Sequence, residues 1–454
     1  MNIPELLSPA GSLKNMEYAF AYGADAVYAG QPRYSLRVRE NEFNHLANLG
    51  QGISRAHDLG KQFYIASNIS PHNNKIRTYL GDMQSVIEMQ PDALIMSDPG
   101  LIMLVRERWP DMPIHLSVQA NAINWATVRF WQRQGLTRII LSRELALDEI
   151  EEIKQRCPQI ELEVFVHGAL CIAYSGRCLL SGYLNHRDSN QGACTNSCRW
   201  KYQAHAAEQT REGDIVAAAE AESIESAGSD RDSDEAATSP LFLLQEKSRP
   251  GEYLPAYEDE HGSYIMNSKD LRAVQHVRRL MQIGVESLKI EGRTKSYYYA
   301  ARTTQVYRRA IDDAAAGKAF DMQLMDELEG MANRGFTEGF YRRHPPAEYQ
   351  NYAVGNSSAA KQQFVADVER VDIRQGRLSL TVKNKFSLGD ELVLLTPAGN
   401  TAFRLRGMFQ PGGNETLAVA PGSGYRVDIP LPDELGDQAD PAALDKALLV
   451  KNLS

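Results

Sequence analysis

Four of the five cysteines of this 454-residue chain fall within 28 residues: Cys171, Cys178, Cys194 and Cys198, with only Cys157 standing apart. Thiolates gathered in one stretch are soft ligands, and in a reducing compartment such a group points to metal, cluster or thiol chemistry rather than to disulfides. The spacing C-x6-C-x15-C-x3-C matches neither a C-x2-C zinc ribbon nor the bacterial ferredoxin run. An iron–sulfur cluster, a structural zinc and reduced bystander thiols all remain open, because tetrahedral thiolate sites suit both metals. His167 stands four residues before the first of these cysteines.

Those residues need a scaffold that brings them to one place. Short Val/Ile/Leu-rich runs recur between helix-like segments, at Pro4–Leu7, Ala26–Ala29, Gln62–Ser67, Ala93–Ser97, Ile114–Val118, Arg138–Ser142, Leu162–Val166 and Ser287–Glu291. Helical spacing fills the gaps at Leu13–Tyr22, Lys75–Met89, Trp125–Gln134, Asp148–Arg156 and Tyr297–Ala316. Eight alternating units predict an α/β fold, a TIM-like (β/α)8 barrel, and the chain has no G-x-G-x-x-G of an open dinucleotide-binding sheet. The barrel domain is expected over 1–345, with a cysteine loop at 167–200, a linker at 346–361, and a C-terminal small antiparallel β-barrel domain over 362–454, where short strands alternate with Gly-centred turns.

The net charge of −9 is concentrated. Between 205 and 240 ten acidic residues face two basic ones, which leaves about −1 for everything else. That stretch lacks aromatics and is rich in Ala, Ser, Glu and Asp, so it is expected to be a disordered acidic insertion. A near-neutral body with basic stretches is compatible with a polyanion, and residues 361–426 carry nine Lys/Arg against six Asp/Glu. Mean hydropathy of −0.40 and the lack of an apolar run of bilayer length exclude a membrane-spanning protein. With no signal-peptide pattern at the start, a cytoplasmic location is expected.

In a barrel of this kind, chemistry is expected where the strands end. Along the fifth strand His115, Ser117 and Gln119 alternate to one face, followed by Asn121. On the eighth, Lys289 and Glu291 alternate, with Arg293 beyond. Catalytic candidates are therefore His167, Lys289 and Glu291, although a buried Lys289–Glu291 ion pair would be purely structural. Gln119 and Asn121 are candidate substrate contacts. The segment Arg33-Tyr34-Ser35-Leu36-Arg37 interleaves arginine with an aromatic, a composition that could hold phosphates and stack a base through Arg33, Tyr34 and Arg37.

The segment Glu163-x-Phe165-x-x-Gly168-Ala169-Leu170-Cys171-x4-Gly176-x-Cys178-x-Leu180-Ser181 resembles the signature of the collagenase-like peptidase family of unassigned catalytic type. ELLSPAG, AVYAG, HLSVQAN, RIILSREL, SLKIEGR and RGFTEGF extend the resemblance over the barrel and beyond it. The resemblance implies oxygen-independent hydroxylation of tRNA or ribosomal RNA bases or of the ubiquinone ring, with a 4Fe–4S cluster on Cys171, Cys178, Cys194 and Cys198. The branch it is most similar to forms 5-hydroxyuridine at the tRNA wobble position in a prephenate-dependent manner. That implies prephenate as co-substrate and the tRNA anticodon stem-loop as partner; no stable protein partner is implied. Prephenate carries two carboxylates, for which Arg143, Arg177 and Arg293 are the candidate partners by position. A peptidase gains no support, since neither H-E-x-x-H nor G-x-S-x-G occurs. Proteolysis, ubiquinone-ring hydroxylation and non-catalytic RNA binding remain alternatives, ubiquinone-ring hydroxylation being disfavoured by a C-terminal β-domain that a small lipid-linked ring does not need.

Overall fold

The computed structural model describes residues 2–36, 42–170, 270–331, 333, 335–342, 362–438, 441 and 444–453, together with the backbone of strands at 202–209, 215–217, 241–246, 253–259 and 262–263. Eight parallel strands close into a barrel: β1 Glu5–Pro9, β2 Ala26–Gly30, β3 Gln62–Ser67, β4 Ala93–Met96, β5 Ile114–Leu116, β6 Arg138–Ile140, β7 Glu161–Ala169 and, after the insertion, Ser287–Ile290. Each strand pairs with the next in sequence, and Ser287–Ile290 joins both β7 and β1. The eight sequence-predicted strands are thus the barrel, with ends shifted by at most three residues, the largest shift at the end of β7.

Helices α1 Leu13–Ala21, α2 Leu46–Asp58, α3 Asn73–Glu88, α4 Pro99–Arg108, α5 Trp125–Arg133 and α6 Leu147–Arg156 follow the strands in order. Three of these starts are set by side-chain caps: Ser12 accepts from the Asn15 amide, Asp98 from Leu101 and Asn124 from Thr127. The long helix Tyr297–Ala315 completes the ring and is capped by Ser296.

Strand β7 is longer than its neighbours, and its upper half has a second partner. Between it and the last barrel strand, five strands form one antiparallel sheet: β8 Tyr202–Gln209, β9 Ile215–Ala217, β10 Leu241–Glu246, β11 Tyr253–Asp259 and β12 Gly262–Ser263. The acidic stretch expected to be disordered from residue 205 therefore begins as sheet. Its strand is paired residue by residue with the distant run LFLLQE, a non-local partner that local composition does not reveal. Residues 218–240 of that insertion lie outside the described residues, as does the linker 346–361. The chain then returns as β13 Asp270–Arg272, antiparallel to β7, with Asp270 opposite Ala169; β14 is the strand Ser287–Ile290, and β15 Phe336–Thr337 flanks β13.

The C-terminal domain is an antiparallel sheet. In chain order its main strands are β16 Gln362–Asp372, β17 Arg377–Val382, β19 Glu391–Thr396, β20 Gly399–Arg404, β22 Arg426–Pro430 and β23 Leu448–Asn452, with a minor pair β18 Phe386–Ser387 and β21 Val419–Ala420. Strand β23, absent from the sequence reading, sits centrally between β19 and β16. The sheet packs on α1 and the helix Tyr297–Ala315, with Val393, Leu395, Leu448 and Val450 joining the core of the barrel. Tyr298 stacks on Phe364 with ring centres 5.0 Å apart, and Asp367 accepts from Lys14 Nζ and Tyr297 Oη, each at 2.9 Å.

Candidate functional site

The lower half of the barrel interior is charged. Glu163, fully buried on β7, accepts from Lys289 Nζ at 2.7 Å and from Arg138 Nη1 at 3.3 Å. Arg138 also reaches Glu5 at 2.6 Å and Glu161 at 2.8 Å, while Glu5 accepts from Ser287 Oγ at 2.9 Å and Tyr64 Oη at 2.6 Å. Burial lowers the Lys289 pKa, opposed by the Glu163 charge. Burial works against the Arg138 charge too, but Glu5 and Glu163 outweigh it and hold that pKa above the usual arginine range. His115 lies against the Tyr64 ring, and burial, then Arg138 and Lys289, push its pKa well below the ordinary value, so it is neutral.

The Lys289 partner differs from the sequence expectation. Opposite Lys289 lies Phe165, but opposite Ile290 lies His167, so the register slips between them and takes Glu291 out of the alternation. Lys289 consequently meets Glu163, not Glu291. The half-buried Glu291 instead serves through its backbone: its N–H donates to His167 O at 2.9 Å and its carbonyl accepts from Tyr299 Oη at 2.8 Å. Gly168 is required at this crossing, since φ is +105° and an added Cβ would lie 2.5 Å from the Glu291 carbonyl oxygen.

His167 sits at the top of β7, packed between the rings of Tyr299, Tyr307 and Phe336. Burial first, then the Arg272 and Lys295 charges, pull its pKa down to about 3. It is a neutral histidine 3.4 Å from Tyr307 Oη, suited to position β7 and not to store a proton near neutrality. The RGFTEGF element closes over the same strand: Phe336 covers His167, Tyr341 Oη donates to Phe165 O at 2.6 Å and Glu338 contacts His276 at 2.7 Å.

Above the charged layer, Tyr28 and Phe165 form a floor crossed by cations. Lys289 Nζ lies 4.2 Å from the Tyr28 ring centre, Arg293 5.6 Å from it, and Arg143 4.0 Å from the Phe165 ring centre. Arg143 donates Nη1 to Ala169 O at 2.6 Å, and among the described residues its buried Nε has no partner. Arg293 donates to Ser35 Oγ at 2.7 Å.

A polar array that sequence reasoning missed in part runs across β3–β6. Asn68 Nδ2 donates to Gln119 Oε1 at 3.1 Å and lies 3.3 Å from Ser117 Oγ, Ser97 donates to Asn68 O, and Ser142 donates to Asn121 at 3.4 Å. The strand expected through 118 stops at Leu116; a 3-10 turn carries Gln119, and Asn121 adopts a left-handed φ of 52°. Gln31, at the end of β2, is buried, and among the described residues its Oε1 has no partner. The signal available for Gln31 and Asn68 was the same one used elsewhere, a polar residue just past a buried strand.

The proposed base-stacking segment divides. Arg33 has φ +70° and pairs with Asp82 at 2.8 Å on the surface, and this turn sends Tyr34 inward. Tyr34 is fully buried, edge-on to Tyr79, with its hydroxyl on Asp82 at 2.6 Å, so its face is closed to a base. Arg37, Arg177 and all four cluster cysteines lie outside the described residues. What is placed is the strand that delivers the cysteines: β7 ends at Ala169 and Leu170 is buried at the mouth. Cys157 is a buried thiol on Trp125 O. Among the described residues no group of three or more His, Cys, Asp and Glu could hold a metal ion, and no helix is long and apolar enough to cross a membrane.

Residues 11–351 match the model of Peptidase family U32, and 360–440 match that of the Peptidase family U32 C-terminal domain. The chain is 61% identical to tRNA hydroxylation protein P of Escherichia coli (strain K12), covering 99% of this chain and 97% of that one. It is 60% identical to the protein of the same name from Haemophilus influenzae, covering 99% and 96%. Among solved structures, the U32 peptidase Mk0906 matches with 14% identity over 38% of this chain and 72% of that chain, at a TM-score of 0.33.

Proposed function

The chain belongs to peptidase family U32, and from that membership we propose that it is a tRNA hydroxylase, forming 5-hydroxyuridine at the wobble position as the first step toward 5-methoxyuridine and its oxyacetic acid relative. The observation that carries this reading is identity of about three residues in five, over both domains, with relatives whose names state tRNA hydroxylation. The geometry agrees with it. A cation-rich mouth suits anionic substrates, and an anticodon base is already single-stranded, which lowers the cost of presenting it in a pocket.

Cys171, Cys178, Cys194 and Cys198 would hold the 4Fe–4S cluster, since four thiols in one loop are the donor set such clusters take. When bound, the cluster supplies one-electron transfer or an open iron site. The remaining chemistry is that of the chain. Arg143, pinned by Ala169 and Phe165 and with its Nε unpaired among the described residues, would take a carboxylate of prephenate, with Arg177 as a second arginine. Gln31 and the Asn68–Gln119 array would offer donors and acceptors to the uracil edge. Neutral His167 and the Lys289–Glu163 pair fix the strands that carry these groups. Its place of action would be the cytoplasm.

Nucleoside analysis of tRNA incubated with anaerobically purified protein and prephenate, beside iron and acid-labile sulfide analysis, tests the reading. Expected are 5-hydroxyuridine, iron and sulfide, all lost in a Cys171→Ala/Cys178→Ala variant. Zinc without iron would overturn the cluster assignment, and an unmodified wobble uridine would overturn the activity.

A further inference from the structure

We propose that an open cavity on the rim of the barrel mouth binds one backbone phosphodiester of the RNA; this rests on the tRNA reading above. The cavity, of about 430 Å³, lies where β1 and β14 end and is lined by Gly11, Ser12, Asn15, Arg293, Thr294 and Lys295. Among the described residues it holds one carboxylate, Glu42, whose backbone N–H donates to Gly11 O at 2.9 Å. Two cations against one anion leave a single positive charge, which a singly charged phosphodiester matches.

The local backbone adds to that charge. Helix α1 starts at Ser12 and the helix Tyr297–Ala315 starts at Ser296, immediately after Lys295, so two positive helix ends flank one cavity. Asn15 Nδ2 donates to Lys295 O at 2.8 Å and fixes the two starts to each other. Gly292, with φ +150°, allows the turn that presents Arg293, because a Cβ there would lie 2.5 Å from the Tyr299 ring. Among the described residues Lys295 makes no salt bridge; its Nζ lies 5.5 Å from the Tyr299 ring centre. The loop after the last strand is also a frequent phosphate site in barrels of this class.

A carboxylate of the co-substrate is the other anion that could occupy the cavity. The openness of the site to solvent favours a chain passing along the rim over a small molecule that must be enclosed to be held. Arg293, whose position suggested a carboxylate contact, is thereby assigned to RNA, and Arg143 keeps the co-substrate.

The test is binding of an anticodon stem-loop RNA to the full chain across a salt series. Lys295→Gln is expected to weaken binding about 5–10-fold and to flatten the dependence of log K on log salt by roughly 0.7–0.9, the share of one phosphate contact. Lys295→Arg should restore both. A stem-loop with a neutral methylphosphonate at the contacted phosphate should bind the unaltered protein as weakly as the variant binds normal RNA, with no further loss when the two changes are combined. Thermal melts of the variants report folding separately. Normal RNA binding and salt dependence in Lys295→Gln, with a raised prephenate requirement, would overturn the phosphate site and assign the cavity to a carboxylate. An unaltered protein without affinity for the RNA would overturn the tRNA reading together with this one.

Discussion

The two halves of the barrel interior treat charge in opposite ways. In the lower half Glu5, Arg138, Glu163 and Lys289 are knitted together, and each has an opposite charge within 3.3 Å. At the mouth, among the described residues, Arg143 bonds a neutral carbonyl and its buried Nε meets no partner, nor does the buried Oε1 of Gln31. Buried polar atoms are almost always satisfied, so the lower network reads as architecture and the upper one as a surface completed by ligands. His115 is the exception below, with Nδ1 unpartnered, and there the histidine stays neutral.

Breaking the lower network should have the largest effect. Glu163→Ala strands Lys289 without its partner and should cost about 3–5 kcal/mol in urea unfolding, whereas Glu163→Gln with Lys289→Met should recover most of that. If the single variant is as stable as the parent, the network is not structural. At the mouth, Arg143→Ala should reduce 5-hydroxyuridine formation by about 10–100-fold while costing only about 1 kcal/mol of stability, the scale of the hydrogen bond it loses. A stability loss equal to that of Glu163→Ala would erase the contrast between the halves.

A third test uses pH. His167 has a folded pKa of about 3 against an ordinary 6.5, so the unfolded chain binds a proton that the folded one refuses. Stability should fall as pH drops from about 6.5 toward 3, with this residue contributing up to about 1.4 kcal/mol per pH unit, and His167→Gln should flatten that slope. An unchanged slope would mean that His167 is solvated. The smallest effect is expected from Tyr34→Phe, which should lose about 1 kcal/mol in thermal unfolding with RNA affinity unchanged; a drop in affinity would restore Tyr34 as a stacking face.

The barrel was legible because its strands are buried runs separated by capped helices, and both signals are local. Ser12, Asp98 and Asn124 announce their helices within three residues. What escaped depended on pairing between distant segments. The partner of Lys289 could have been sought in Glu163, the acidic residue inside the apolar run LEVFV, but the slip at Ile290 that excludes Glu291 is a property of two strands together. Tyr34 was misjudged for a similar reason: the left-handed Arg33 reverses which side chain faces solvent, and a tyrosine between arginines has the composition of a surface. Strand β23 hid in a terminal LLVKN run because its neighbours come from 362–372 and 391–396.

The pairing of Ala169 with Asp270 has an engineering consequence. The chain leaves the barrel and re-enters it at two points about 5 Å apart, the spacing of adjacent strands. Everything between them is attached like a cartridge in a socket: its length adds little to the entropy of closing the ring, since β7 already meets β14 directly. A design can therefore exchange that segment without redrawing the barrel beneath it.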